Sequence, residues 1–196
     1  MMSTMILSQD SPGYPSKLKE FLGTDAPKSI VALGNLEIMK HQLLALFCSV
    51  RCPGNLILQT HDFVQSLRLD GIPVISGFHS PVERECLTIL LKGSSPIIVC
   101  PARSLDGMRV PSVWQQPLRQ GRLLLLSPFD SGLRRPTAES AIYRNRFVAA
   151  MADKVLVAYA EPGGNMVQLC REVIDWGKPV CTPDKKGDFP EITVMK

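Results

Sequence analysis

At 196 residues, with 45% hydrophobic and 20% charged side chains, the chain is long enough to bury roughly 70% of its unfolded surface and lies far from the composition of disordered segments. No window reaches the ~18 uninterrupted apolar residues of a membrane span, and Met1 to Asp10 lacks a basic cluster followed by an apolar run, so the expectation is a cytoplasmic protein without a membrane partner. The net charge of +4 is unevenly placed: residues 101–150 hold eight arginines, no lysine and three acids, leaving the rest about neutral.

In chain order, residues 1–42 read as a lead-in packed on the main domain. Pro12, Gly13, Pro15 and Pro27 interrupt it, and SIVALGN (Ser29 to Asn35) adds either an edge strand or a short lead-in. From residue 43 to 196, short apolar runs alternate with amphipathic stretches, the pattern of βαβ units. Strands are expected at Leu43–Phe47, Pro73–Ser76, Pro96–Cys100, Arg122–Leu126, Lys154–Tyr159 and Pro179–Thr182. Helices are expected at Asn55–Leu69, Pro81–Leu91, Pro111–Arg119, Thr137–Ala152 and Met166–Trp176, with a last short strand at Ile192–Val194. Pro81, Pro111 and Pro136 suit first-turn positions, and Gly71 and Gly177 suit helix ends. The predicted fold is α/β: a Rossmann-like, doubly wound, mostly parallel sheet of about six or seven strands.

Ligands of such sheets gather where strands end and helices begin, because helix N-termini present free N–H donors. Three loops fit. CSVRCPGN (Cys48 to Asn55) carries Ser49 and Arg51. SGFHSP carries Ser76, Gly77 and Phe78, with Glu83 in the following turn. EPGGN carries Gly163, Gly164 and Asn165. Small residues and N–H groups converging on one edge suit a phosphate, although each loop alone is also ordinary turn chemistry. None is a Walker loop, and the full GxGxxG spacing is absent.

On the fourth predicted helix, Ala138, Ala141, Ile142, Ala149 and Ala152 form an apolar stripe that contains Asn145, flanked by Arg144 and Arg146. A buried asparagine needs partners, either backbone groups or a ligand network. The six cysteines are scattered without a CxxC pair and read as buried free thiols, and His41, His61 and His79 stand apart from any cysteine cluster. No metal or cofactor is expected, and no nucleophile has a sequence-visible base, so the chain reads as more binder than enzyme.

At these residues the chain resembles the DNA-processing protein A family, DprA (also called Smf), within a superfamily that includes LOG-type nucleotide hydrolases. YPSKLKEFLGTDAPKSIVALGN is similar to the family's lead-in, VISGFHSPVEREC to its SGxAxGID segment, and RNRFVAAMADKVLVAYA to its RNR helix and following strand. The resemblance implies a Rossmann-like domain that binds single-stranded DNA, protects it and passes it to a recombinase, and it suggests a homodimer. Ser76, Gly77 and Phe78 match the SG loop, Glu83 stands for that motif's aspartate, and Arg144, Asn145 and Arg146 match the RNR triplet. Gly163, Gly164 and Asn165 stand near the family's Ser-Gly turn, and the family's GSR loop appears as CSVR, with Arg51 one residue displaced.

Two functional readings follow from the phosphate-binding edge. In the first, arginines including Arg51, Arg103, Arg109, Arg144 and Arg146 neutralise a strand's phosphates, with Phe78 or Trp114 as a stacking face. In the second, the glycine loops bind a small nucleotide without chemistry. A weaker third, a LOG-type hydrolase, would rely on Glu83 or Glu161.

Overall fold

Runs such as LALF and LLLL, apolar at every position, have no face to give to water and become strands covered on both sides. The computed structural model describes residues 4–183. Its strands are β1 (Met5–Ser8), β2 (Ser29–Gly34), β3 (Leu44–Phe47), β4 (Val74–Ser76), β5 (Ile97–Val99), β6 (Leu123–Ser127), β7 (Lys154–Val157) and β8 (Val180–Cys181). The helices are α1 (Ser16–Leu22), α2 (Gly54–Leu67), α3 (Pro81–Leu91), α4 (Ser112–Arg119), α5 (Ala138–Met151) and α6 (Asn165–Asp175).

All eight strands join one sheet in the order β1-β2-β6-β5-β4-β3-β7-β8. The six from β6 to β8 are parallel, and β2 and β1 extend them antiparallel. Alternate side chains divide the core. Ala45, Phe47, Ile75, Leu124 and Val155 pack on one side with Leu18 of α1, Phe147 of α5 and Val173 of α6. Leu44, Leu46, Val74, Leu123 and Leu156 pack on the other with Val64 of α2, Leu90 of α3 and Leu118 of α4.

Local chemistry fixes the helix ends. Ser80 and Glu83 form a reciprocal capping box at α3, with Pro81 at its first turn, and Thr137 and Ser140 do the same for α5. The other end of α5 is closed from a distance. Buried Lys178 donates to the carbonyls of Ala149, Ala150 and Ala152 at 2.7–2.8 Å, and its ammonium lies 3.8 Å from the centre of the Phe21 ring. A cation at a helix C-terminus meets both the orphan carbonyls and the negative end of the dipole.

The six strands and five helices expected from residue 43 to 183 are present with ends shifted by at most a few residues. SIVALGN forms β2, which lies between β1 and β6 rather than at an edge. Among the described residues the sheet has eight strands, against the expected six or seven, because MILS adds β1. The expected strand at Ile192–Val194 falls outside the described residues. Among those described, no helix is long and apolar enough to cross a membrane.

Candidate functional site

From β3 the chain moves outward through β4, β5 and β6 on one side, then returns to build β7 and β8 on the other. The reversal places a topological switch point between the carboxyl ends of β3 and β7, where neighbouring loops part and leave a crevice. The three loops singled out by sequence follow β3, β4 and β7, which are adjacent in the sheet.

Side chains tie these loops together. Glu83, 5% exposed, accepts from the backbone N–H of Cys48 through Oε1 at 2.9 Å and from those of His79 and Ser80 through Oε2 at 2.7 and 3.2 Å. It therefore joins the β3 and β4 loops as a clasp, with both carboxylate oxygens occupied. Ser49 Oγ accepts from the Glu161 N–H at 2.9 Å, joining the β3 and β7 loops. Ser76 is fully buried, and its Oγ accepts from the Phe78 N–H at 3.0 Å.

Phe78 has φ 46°, the left-handed region, and is alone among the described non-glycine residues in that respect. Such a conformation costs of order 1–3 kcal/mol and marks a turn held by its surroundings. Its ring is 6% exposed and belongs to the core beside α2 and α3, so it offers no face to a base. Trp114 is also partly buried against that core.

Arg144, rather than Asn145, is the buried member of the RNR triplet on α5. At 3% exposure, it donates through Nη1 to the Cys100 carbonyl at 2.8 Å and through Nε to Asn145 Oδ1 at 2.9 Å. Burial lowers its pKa, and Glu83 opposes that shift. Its guanidinium lies against Gly77, where a Cβ would fall 1.6 Å from Nη1. This close approach is what the glycine of the SG loop permits.

Arg146 points elsewhere. It pairs with Glu172 of α6, Nη2 to Oε1 at 2.7 Å and Nε to both oxygens at 2.9–3.0 Å, and with Asp25 through Nη1 at 3.0 Å. The Glu172 bond is the main cause of its raised pKa. Asn145 is half-buried in a cleft facing Asn165 and Gln168 of α6. Of the expected stripe, Ala149 and Ala152 are buried, but Ala138 and Ile142 are exposed, and the buried residues of the helix are Ser140, Arg144, Phe147, Val148, Ala149, Ala150 and Met151.

Among the loop residues, Arg51 is exposed after β3 and Gly163, φ 74°, turns the chain into α6, whose N-cap Gly164 supplies no capping side chain. Two arginines outside the three glycine- and serine-bearing loops, Arg134 and Arg135, are exposed after β6, and Arg103 and Arg109 follow β5 on the same edge. Their signal was the arginine-rich segment itself. Arg119 and Arg122 belong to the opposite edge, where Arg122 donates to the Leu91 carbonyl at 2.6 Å. No cluster of three or more His, Cys, Asp or Glu able to hold a metal occurs among the described residues.

Among solved structures, DNA processing protein A from Streptococcus pneumoniae superposes with a TM-score of 0.76 at 22% identity, covering 94% of this chain and 65% of that one. A Helicobacter pylori protein, described for the single-stranded DNA binding mode of DNA processing protein A, gives 0.74 at 21%, covering 96% and 84%. A molybdenum cofactor binding protein from Rippkaea orientalis gives 0.51 at 12%, covering 72% and 75%. These likenesses establish the Rossmann-like fold, and the chain spans about two thirds of the S. pneumoniae protein. No curated protein matches. The family model for DNA recombination-mediator protein A matches residues 5–187, and across that span the chain belongs to this family.

Proposed function

We propose that the chain binds single-stranded DNA along the carboxyl edge of its sheet, with the phosphates held by Arg51, Arg103, Arg109, Arg134 and Arg135. The observation that carries this reading is the distribution of arginines over the loops after β3, β5 and β6. At about 4.8 Å per strand those loops extend over roughly 14 Å. Cations strung along an edge suit a polymer's repeated phosphates better than one nucleotide. Arg144 and Arg146, matched by resemblance to the RNR triplet, serve as supports: one holds the β4 loop from beneath, the other holds α6.

Within a recombination-mediator family, the bound strand is handed to a recombinase, and a cytoplasmic homodimer is the corresponding working form. The H. pylori relative, described for its single-stranded DNA binding mode, supports the choice of ligand. The small-nucleotide reading keeps one specific support, the glycine turn and uncapped α6 beside the switch-point crevice. The hydrolase reading loses Glu83, whose oxygens are engaged by three N–H groups.

The test is a salt-series titration with single-stranded DNA, duplex and a nucleotide panel. Wild type is expected to bind the single strand with a slope in log salt, and Arg51→Ala and Arg134→Ala each to lower that slope by about 0.7–1. Arg146→Ala is expected to lower stability and leave the slope alone. Nucleotide binding without a salt slope would replace the strand with the sensor reading.

A further inference from the structure

Between α5 and α6 lies a cleft of about 120 Å³. Leu169, 6% exposed, and the half-exposed Ile142 give it apolar surface. Its polar lining is three carboxamides, Asn145, Asn165 and Gln168, with the Arg146–Glu172 pair beside them. That arginine is saturated by Glu172 and Asp25, so the cleft offers no free cation and is not built for a phosphate.

What remains is a neutral, donor-and-acceptor surface. Asn145 Oδ1 accepts from Arg144 Nε, leaving its NH2 hydrogens to donate. Asn165 and Gln168 are exposed, and no hydrogen bond engages either carboxamide among the described residues. Asn165 opens α6 directly after the β7 loop, and Asn145 adjoins the arginine lying on Gly77 of the β4 loop. The cleft therefore continues from the switch-point edge, within reach of a strand lying there.

We infer that the α5–α6 cleft takes one unpaired nucleobase of the bound strand, its edge hydrogen-bonded by Asn145, Asn165 and Gln168. The inference rests on the strand-binding reading and adds what that reading lacked once Phe78 proved buried: a place for a base. A carboxamide offers a donor and an acceptor side by side, the complement of adenine's N7 and N6 groups, so adenine is the favoured base.

Anisotropy titrations with oligo-dA, oligo-dT and an abasic strand of equal length test it. Wild type is expected to bind oligo-dA about 10-fold more tightly than the abasic strand. Asn165→Ala/Gln168→Ala, both exposed positions, is expected to bring that ratio near unity while leaving abasic affinity, salt slope and urea midpoint unchanged. A ratio that survives the double variant, or equal loss for all strands, overturns the inference and leaves strand binding standing. If no strand, abasic included, binds at low salt, the strand-binding reading fails. Free adenosine then decides: binding lost in the double variant keeps the cleft as a base site, and no binding overturns it.

Discussion

Replacing Gly77 by alanine isolates the contact at the centre of the site. Gly77 is absent from the positive-φ glycines, so the backbone accepts alanine and any cost arises from the new methyl group. That Cβ would fall 1.6 Å from Arg144 Nη1 and 1.9 Å from Cζ, and the guanidinium must leave. The Cys100 carbonyl, on a fully buried residue, then loses its 2.8 Å charge-assisted bond. Losing such a bond costs about 1.5–3 kcal/mol, and disturbing a buried charge adds to that. We expect about 3 kcal/mol in urea unfolding, or roughly 6–12 °C in Tm for a chain of this size. In an Arg144→Ala background the same change is expected to cost under about 1 kcal/mol, a coupling typical of touching residues. Equal costs in the two backgrounds, or a wild-type cost below about 0.5 kcal/mol, would refute the assignment of Gly77 as the seat of Arg144.

Glu83→Gln leaves three N–H donors with one good acceptor oxygen; it is expected to cost about 2 kcal/mol and to speed amide exchange at Cys48, His79 and Ser80, and unchanged exchange would disprove the clasp. Lys178→Met strips the last carbonyls of α5 of their common donor; a loss of about 2–4 kcal/mol is expected in thermal unfolding. Stability is expected to fall as pH rises above about 9. Burial pushes the Cys86 and Cys100 thiols up to about 12 and Cys181 to about 11, and raises Cys48 as well. The unfolded chain releases those protons first, which removes about 1.4 kcal/mol per pH unit for each thiol. Lys178, pushed down to about 8 chiefly by burial, acts oppositely from pH 8 to about 10.4, where the unfolded state holds the extra proton. Four thiols outweigh one ammonium. Urea midpoints flat from pH 8 to 10.5 would contradict this balance.

The parallel core was legible because its strands are short, largely apolar runs set off by proline and glycine, and because α3 and α5 announce their starts with capping residues. The lead-in was less so. Leu18 and Leu22 bury fully or nearly so, but α1 is seven residues long and sits among prolines, too short for a helical period to emerge. Strand β1 is mostly exposed and is fixed by pairing with β2, a long-range fact with no local trace. At the site, the three loops were visible as small residues before helices, but their ties were not, since Glu83 and Ser49 work across gaps of 35 and 112 residues. The α5 stripe was partly misplaced for a physical reason: alanines occur on both faces, and the buried face hides its identity behind Ser140 and Arg144, whose polarity is answered by carbonyls 38 and 44 residues away.

The antiparallel pairing of β2 with β6 also sets a timetable. Val31 lies opposite Ser127, so β2 leaves the ribosome 96 residues before its partner. At about 5–20 residues per second the wait is on the order of ten seconds. Through that interval the antiparallel β1–β2 pair lacks the strand it joins, and its inward residues Ile30 and Ala32, both fully buried at the end, lack their β6 neighbours. Strands β1 and β2 are thus made well before the strand they join, and slow or faulty production of the segment around β6 would leave an open strand edge on the nascent chain.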